Sequence, residues 1–319
     1  MNHRLPSKVF EANLPGVLGR LAALDATEEP LVLDFLSVEY WTPAAIVALC
    51  AMVNRWIEQG RQIAFENVEA SPACSYLQRI DFFERVGLRL PEHFRRHDPR
   101  TSFVEIQQVY PGFARLSEPL PKRLAECLAG TTDTSNEVLR FSQYALGEII
   151  ANCQQHAGKP GFVAAQYVAA KDWARIGIAD YGMGIRESFR SAESPHFREG
   201  MSHSETLEMA MTPWVSSKNH RKSGPYGESP NRGVGLKMIL HMLKDSCGEM
   251  FISSGDAWRH YQRNGRVEAG GLPGGREFPG TCVSILFDRA QIDDFQRMVT
   301  KAGEAIHLTP DQGDDKFFA

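Results

Sequence analysis

The chain has 319 residues, enough for two ordinary domains, and a formal net charge of −4. This net negative charge excludes an overall positive electrostatic potential of the kind that attracts nucleic acid, so we expect no nucleic-acid partner. Six cysteines lack metal-ligand and C-x-x-C spacing, which favours reduced thiols in a cytoplasmic protein. No signal peptide is visible, and the longest apolar run, Pro43 to Val53, is too short to cross a bilayer, so no membrane association is expected.

The first hundred residues alternate strand and helix patterns. Thr42 and Pro43 have the residue types of an N-cap and a first helical position, and Gly60 closes the same helix. The predicted elements are a buried strand at Leu31 to Val38, a helix at Thr42 to Gly60, a strand at 61–68 and a helix at 71–87. This order favours a parallel or mixed sheet covered by helices, which we assign to a first domain, residues 1–95.

A second domain is predicted over residues 96–308. The Pro-, His- and Arg-rich stretch 91–100 marks the boundary. A strand at 101–109, an amphipathic helix around Lys122 to Ala129 and a turn at 131–137 follow. The polar tail at 309–319 is expected to be frayed. Three motifs between residues 146 and 237 then carry the functional argument.

The first motif is LGEIIANCQQHAG, residues 146–158, whose apolar residues recur at helical spacing. Glu148 and Asn152 are four residues apart and therefore share one helix face. An amide oxygen suits Mg²⁺, and a carboxylate one turn earlier could orient or deprotonate an attacking group. Alone, the pattern would favour a solvated helix face. His156 is interpreted as the polar end of this helix rather than as a ligand or phosphoacceptor.

The second motif is IADYGMGI, residues 178–185, at the end of a predicted buried strand. Asp180 at the strand end could accept a hydrogen bond from an exocyclic amine such as that of adenine. Gly182 and Gly184 would let the backbone approach a flat base or a ribose. An ordinary Asp-Gly loop explains the same residues equally well.

The third motif is NRGVGLK, residues 231–237, in which Gly233 and Gly235 precede a predicted helix. Backbone N–H groups at a helix N-terminus favour phosphate. The alternative is a loop whose glycines simply begin a helix. Neither a P-loop nor a Rossmann fingerprint occurs.

In this order the motifs resemble the GHKL ATPase superfamily with its Bergerat ATP-binding fold, over roughly residues 100–290. The resemblance implies Glu148 as general base, Asn152 as ligand of Mg²⁺ and Asp180 as adenine-binding residue. A Gly-Thr pair at Gly280 and Thr281, before CVSILF, looks like the family's late strand. Further ATP contacts are implied for Gly182, Gly184, Gly233, Gly235, Leu236 and Thr281. The implied fold is an α/β sandwich, a mixed sheet with helices on one face, and the implied cofactors are ATP and Mg²⁺.

The segment from 186 to 232 corresponds by resemblance to an ATP lid. A short helix is expected at Glu205 to Met211. Ser217 and Lys218 are assigned to nucleotide binding, and a cationic cluster of Lys218, His220, Arg221 and Lys222 could neutralise the γ-phosphate. For any single residue of this segment, a solvated basic loop is the safer interpretation.

The N-terminal domain resembles a STAS domain, on the stretches VLDFLSVEYWTPAAIVAL and LQRIDFFERVGL. In signalling members of that family, a serine before the first helix is phosphorylated by a GHKL kinase. The corresponding position here is Ala44, which has no hydroxyl, and Thr42 nearby is interpreted as a helix cap. The resemblance therefore implies a regulatory or docking module rather than a phosphoacceptor.

Two classes of function remain open from the sequence. The first is an enzyme, either a Mg²⁺-dependent ATPase or a protein serine/threonine kinase with Glu148 as base. The second is a non-catalytic ATP-dependent switch or scaffold that controls a protein partner. A protein partner, a STAS-domain or regulatory protein, is expected in either case, and self-association into a homodimer is left open.

Overall fold

A computed structural model describes residues 2–27, 29–92, 94, 103–112, 119–217 and 233–306. These residues form both helices and strands, so the chain is a mixed α/β protein, as expected for the fold class. Most of the predicted domain boundary, residues 218–232 of the predicted lid and the polar tail lie outside these ranges. No helix in the described ranges is long and apolar enough to cross a bilayer.

The N-terminal part contains two small parallel sheets. Strands β1 (Asn2–Arg4), β3 (Leu31–Asp34) and β5 (Ile63–Glu66) form one, in the order β1-β3-β5. Strands β2 (Lys8–Val9) and β4 (Tyr40–Trp41) form the other. The helices are α1 (Leu14–Asp25), α2 (Pro43–Glu58), α3 (Cys74–Arg79) and α4 (Phe82–Arg85). The predicted parallel pairing is confirmed for these strands.

Three N-terminal elements differ from their predicted form. The strand expected to reach Val38 ends at Asp34, because the Asp34 carboxylate turns back to accept the Leu36 N–H at 3.0 Å. The helix expected over 71–87 is split into α3 and α4 by Asp81, whose backbone is left-handed at φ 60°. Thr42 occupies the N-cap position of α2, but its buried hydroxyl makes no capping hydrogen bond.

The C-terminal part contains a seven-stranded sheet in the order β11-β10-β9-β12-β8-β7-β6. Its strands are β6 (Gln107–Val109), β7 (Gly161–Val168), β8 (Trp173–Asp180), β9 (Glu249–Gly255), β10 (Ala257–Tyr261), β11 (Val267–Gly271) and β12 (Phe278–Asp288). Every neighbouring pair is antiparallel, so the implied mixed sheet is wrong for these strands. Short reversals join β7 to β8 and β9 to β10, and such hairpins impose antiparallel pairing. The strand predicted at 101–109 is reduced to β6 and one bridge between Phe103 and Gln166.

Four helices cover one face of this sheet. They are α5 (Pro119–Ala129), α6 (Glu137–His156), α9 (Gly235–Asp245) and α10 (Phe295–Ala305). Successive strand residues point to opposite faces, so Ile176 and Ile178 of β8 enter the core beneath these helices. The expected helices around Lys122 to Ala129, over the first motif and after Gly235 are all present.

The opposite face of the sheet is also covered, by the N-terminal part. Phe162, Phe251 and Cys282 from the sheet share one hydrophobic core with α2. A Cβ on Gly177 of β8 would collide with the backbone of Ala44, so the start of α2 rests directly on this strand. The helices of residues 119–306 lie on one face of the sheet, as the resemblance implied, and the N-terminal part adds a second layer on the other face.

Buried polar contacts reinforce this junction. The Arg175 guanidinium on β8 donates to the Tyr40 hydroxyl at 2.9 Å. The Ser284 hydroxyl on β12 donates to the Glu11 carboxylate at 3.0 Å, and all three of Glu11, Arg175 and Ser284 are buried. Buried polar groups are costly unless paired, so these contacts favour one orientation of the N-terminal part on the sheet.

The first part of the predicted lid is helical. Helix α7 (Gly184–Ser191) follows the second motif, and α8 (His203–Ala210) lies further on. The predicted short helix begins two residues earlier than expected, because Ser202 and Glu205 form a capping box at its start.

Candidate functional site

A cavity of about 110 Å³ opens between α6, the end of β8, α7, the start of α9 and β12. Eight residues predicted from the sequence line it: Asn152, Asp180, Gly184, Ser217, Gly233, Gly235, Leu236 and Thr281. They come from five separate segments of the chain. Glu148 and Gly182 lie beside the lining residues, and Lys218 lies outside the described residues.

Asp180 is the last residue of β8, and its side chain lies on the face of the sheet that borders the cavity. Its carboxylate accepts the Gly182 N–H at 2.8 Å and also the backbone N–H of Thr281. Burial raises the pKa of Asp180 to about 7, and these two hydrogen bonds offset only part of the effect. A carboxylate offers about four lone-pair sites, so Asp180 keeps acceptor capacity for a donor in the cavity.

Gly280 on β12 lets this strand approach Asp180 closely. Its φ is +85°, and a Cβ there would collide with both the carbonyl and the carboxylate oxygen of Asp180. The register of β12 against β9 shifts at the same place, between Phe278 and Thr281. This irregularity turns Thr281 into the cavity lining.

Glu148 lies on α6, one turn before Asn152. Its side chain packs against the start of α9, where a Cβ on Gly235 would collide with the carboxylate. Burial raises the pKa of Glu148 to about 7. A carboxyl group with a pKa near neutrality can both take up and release a proton at pH 7, which suits general acid–base chemistry.

The glycines of the second motif have a packing role that the sequence did not predict. A Cβ on Gly182 would collide with the backbone of Ala157 at the end of α6. Gly184 has φ +71°, and a Cβ there would lie 2.9 Å from the Ser254 hydroxyl. Both glycines therefore allow close packing of protein segments around Asp180. Gly184 also lines the cavity, and the expected approach of a base or ribose to these glycines stays a prediction.

The third motif leads into the N-terminus of α9. Val234 is the N-cap residue and makes no side-chain capping hydrogen bond. A Cβ on Gly233, at φ +67°, would collide with the backbone of Val215, so this turn is pressed against the lid segment. The first N–H groups of α9 have no intrahelical acceptor and carry partial positive charge, which favours an anion beside Gly235 and Leu236.

A cluster of hydrogen-bonding side chains joins the lid segment to α6 and α7. The Ser217 hydroxyl lies 2.9 Å from His156 Nδ1, and the Ser188 hydroxyl lies 3.2 Å from the same nitrogen. The two hydroxyls are 3.0 Å apart. His156, interpreted from the sequence as a helix end, therefore lines the cavity and contacts a predicted lid residue.

Ser254 on β9 was missed by the sequence argument. It is buried and accepts the Ile185 N–H at 2.8 Å while donating to the Gly280 carbonyl at 3.0 Å. The only sequence signal was a pair of serines inside an apolar strand, MFISSG, and that pattern does not indicate which serine faces a site.

Within the described ranges, no three His, Cys, Asp or Glu side chains are grouped so as to hold a metal ion. Comparison with protein-family models found no match, and comparison with curated proteins likewise found none. Functional assignment therefore rests on the geometry of this cavity and on its motifs.

Proposed function

We propose that this chain is a regulatory protein of the GHKL type that binds Mg-ATP and either hydrolyses it or transfers its γ-phosphate to a protein serine or threonine. One observation carries the proposal. A buried acceptor at Asp180, the amide of Asn152 and the uncapped start of α9 meet around one cavity, although they come from separate segments.

The groups around the cavity fit the parts of ATP. Asp180 can accept a hydrogen bond from the adenine amine. The N–H groups at the start of α9 suit phosphate oxygens. Mg²⁺ usually keeps several waters and binds substrate phosphates with few protein ligands, so Asn152 alone would be an adequate protein ligand.

Glu148 is the residue that we assign to proton transfer. Bound Mg-ATP supplies the phosphoryl group, and Glu148 takes a proton from the attacking water or hydroxyl. Its pKa of about 7 leaves a substantial carboxylate fraction at neutral pH. Its place against Gly235 keeps it at the end of the cavity where the α9 N-terminus would hold phosphate.

The N-terminal part is, in this proposal, a STAS-like regulatory or docking module in a cytoplasmic protein. Ala44 is fully buried against Gly177, so the usual acceptor position lacks a hydroxyl and is also inaccessible. A kinase of this design therefore acts on a separate protein, and an ATPase signals to one.

A non-catalytic switch is the second candidate, and the His156 cluster favours it. Through Ser217 and Ser188 this cluster connects the cavity wall to the lid segment. A ligand that changes this contact would change the surface formed by α7 and α8 without any turnover.

The test is ATP binding and turnover by the full chain with Mg²⁺. Glu148→Gln is compared with Glu304→Gln, the same change at an exposed position on α10. We expect all three proteins to bind ATP and only Glu148→Gln to lose turnover. Full turnover in Glu148→Gln would reject the base. Binding without turnover in all three proteins would favour the switch, and no binding at all would reject the proposed function.

A further inference from the structure

Ser254 connects three segments at the Asp180 end of the cavity. It lies on the cavity-facing side of β9, whereas its neighbour Ser253 faces the other layer and donates to the Ala257 carbonyl at 3.0 Å. Ser254 contacts the Ile185 N–H, the Gly280 carbonyl and the Thr281 hydroxyl. It is 2% exposed, so bulk water does not compete for these contacts.

The bonding capacity of this hydroxyl is fully used. A serine hydroxyl has one hydrogen to donate and two lone pairs to accept with. Its hydrogen points to the Gly280 carbonyl at 3.0 Å, and one lone pair accepts the Ile185 N–H at 2.8 Å. The remaining lone pair accepts the Thr281 hydroxyl at 3.5 Å, the longest of the three contacts.

This arrangement determines which hydrogen-bonding groups Thr281 presents to the cavity. When its single hydroxyl hydrogen is donated to Ser254 across the 3.5 Å contact, only lone pairs remain toward the cavity. The ionised Asp180 carboxylate, whose backbone donors are Gly182 and Thr281, is likewise only an acceptor. This end of the cavity therefore offers acceptors and no side-chain donor from these two residues.

We propose that Ser254 is a positioning residue that determines nucleotide specificity. By holding the Thr281 hydroxyl hydrogen away from the cavity, it favours purine nucleotides with an exocyclic amine over those with a carbonyl at the same ring position. The inference rests on the proposed nucleotide site. A ring carbonyl would meet two acceptors and lose the hydrogen bonds it makes in water. An amine at that place can donate to both acceptors.

The test compares ATP with inosine triphosphate, which carries a carbonyl in place of the adenine amine. Dissociation constants are measured for both at about pH 8.5, where a carboxyl with a pKa of about 7 is ionised. For the wild-type chain we expect ATP to bind roughly 10- to 100-fold more tightly, since unpaired buried acceptors cost about 1–3 kcal/mol. In Ser254→Ala the Thr281 hydroxyl is free to donate to the carbonyl, and we expect this ratio to fall by about tenfold.

Ser253→Ala is the matched control. It deletes an equally buried hydroxyl from the adjacent position but on the other face of β9, so it should leave the ratio unchanged. The second control is Thr281→Val, which removes the hydroxyl that Ser254 orients. Adding Ser254→Ala to Thr281→Val should not change the ratio further, because the two effects are coupled.

The outcomes separate this inference from the proposed function. If the wild-type chain binds neither nucleotide, the proposed function fails and this inference fails with it. If the wild-type chain prefers ATP and Ser254→Ala keeps the full ratio, only the role of Ser254 is overturned. Equal loss of the ratio in Ser253→Ala and Ser254→Ala would also overturn it, because general loosening of β9 would then explain the change.

Discussion

Asp180→Asn should stabilise the nucleotide-free protein, and the gain should grow as pH rises. Burial raises the pKa of Asp180 from the ordinary 3.8 to about 7, so the folded state binds a proton more tightly than the unfolded state. The contribution of the Asp180 carboxyl to the free energy of unfolding is therefore fully present below pH 4 and is lost as the pH rises toward 7. The loss integrates to about 1.7 kcal/mol at pH 5 and about 4 kcal/mol at pH 8.

Asparagine removes the charge and keeps an oxygen that can accept the Gly182 N–H. We therefore expect the stability of Asp180→Asn relative to wild type to rise by about 2.5 kcal/mol between pH 5 and pH 8. The assay is urea unfolding without nucleotide at four pH values over this range. Asp256→Asn is the control, because it makes the same change at a partly exposed position between β9 and β10.

A difference between Asp180→Asn and wild type that stays constant from pH 5 to pH 8 would refute this reasoning. It would mean that the carboxylate is hydrated in the folded state. A rise of equal size in Asp256→Asn would show instead that the change of residue type, and not burial at Asp180, produces the effect.

Four further outcomes are expected. Asp180→Asn should weaken ATP more than inorganic triphosphate, measured by calorimetry, and equal losses would show that Asp180 does not contact the base. Asn152→Ala should reduce the Mg²⁺ dependence of ATP binding, and an unchanged Mg²⁺ titration would remove Asn152 from the metal site. Gly177→Ala should cost roughly 1–3 kcal/mol in urea unfolding, because its Cβ would collide with Ala44. Gly16→Ala on α1 should instead stabilise by about 0.5–1 kcal/mol, since nothing lies within 4 Å of its Cβ; a loss comparable to that of Gly177→Ala would contradict the packing argument.

Elements with strong local patterns could be predicted from the sequence. The helix that carries Glu148 and Asn152 has apolar residues at helical spacing, and β8 is a short buried strand with a polar end. The convergence of Asn152, Asp180 and Gly235 on one cavity followed from the order of the motifs. Their roles in binding and catalysis remain predictions for the experiments above.

Features that depend on distant packing could not be predicted in the same way. No Gly or Pro marks the break at Asp81, where an aspartate adopts the left-handed backbone that glycine adopts most readily. The antiparallel sheet depends on which strands become neighbours in space, and local propensity does not encode that choice. The need for a glycine at position 177 depends on its contact with Ala44, which lies more than a hundred residues earlier in the chain.

The site shows the same limit. Sequence spacing identified charged and amide groups, because their chemistry is distinctive. A serine has no such signature, so Ser254 was invisible until its three partners were known. The close packing of Gly182 on Ala157 and of Gly184 on Ser254 could not be predicted either, because these neighbours are distant in sequence or carry no distinctive pattern.

The two-sided burial of the seven-stranded sheet has a practical and an evolutionary consequence. A fragment beginning at residue 96 would keep every proposed nucleotide contact but would bare Phe162, Phe251 and Phe278, each now at most 1% exposed. A contiguous aromatic surface of that kind promotes aggregation. Residues 1–95 therefore could not be replaced by another domain unless the sheet face that carries these phenylalanines were redesigned as well. We expect the two parts of the chain to be inherited together.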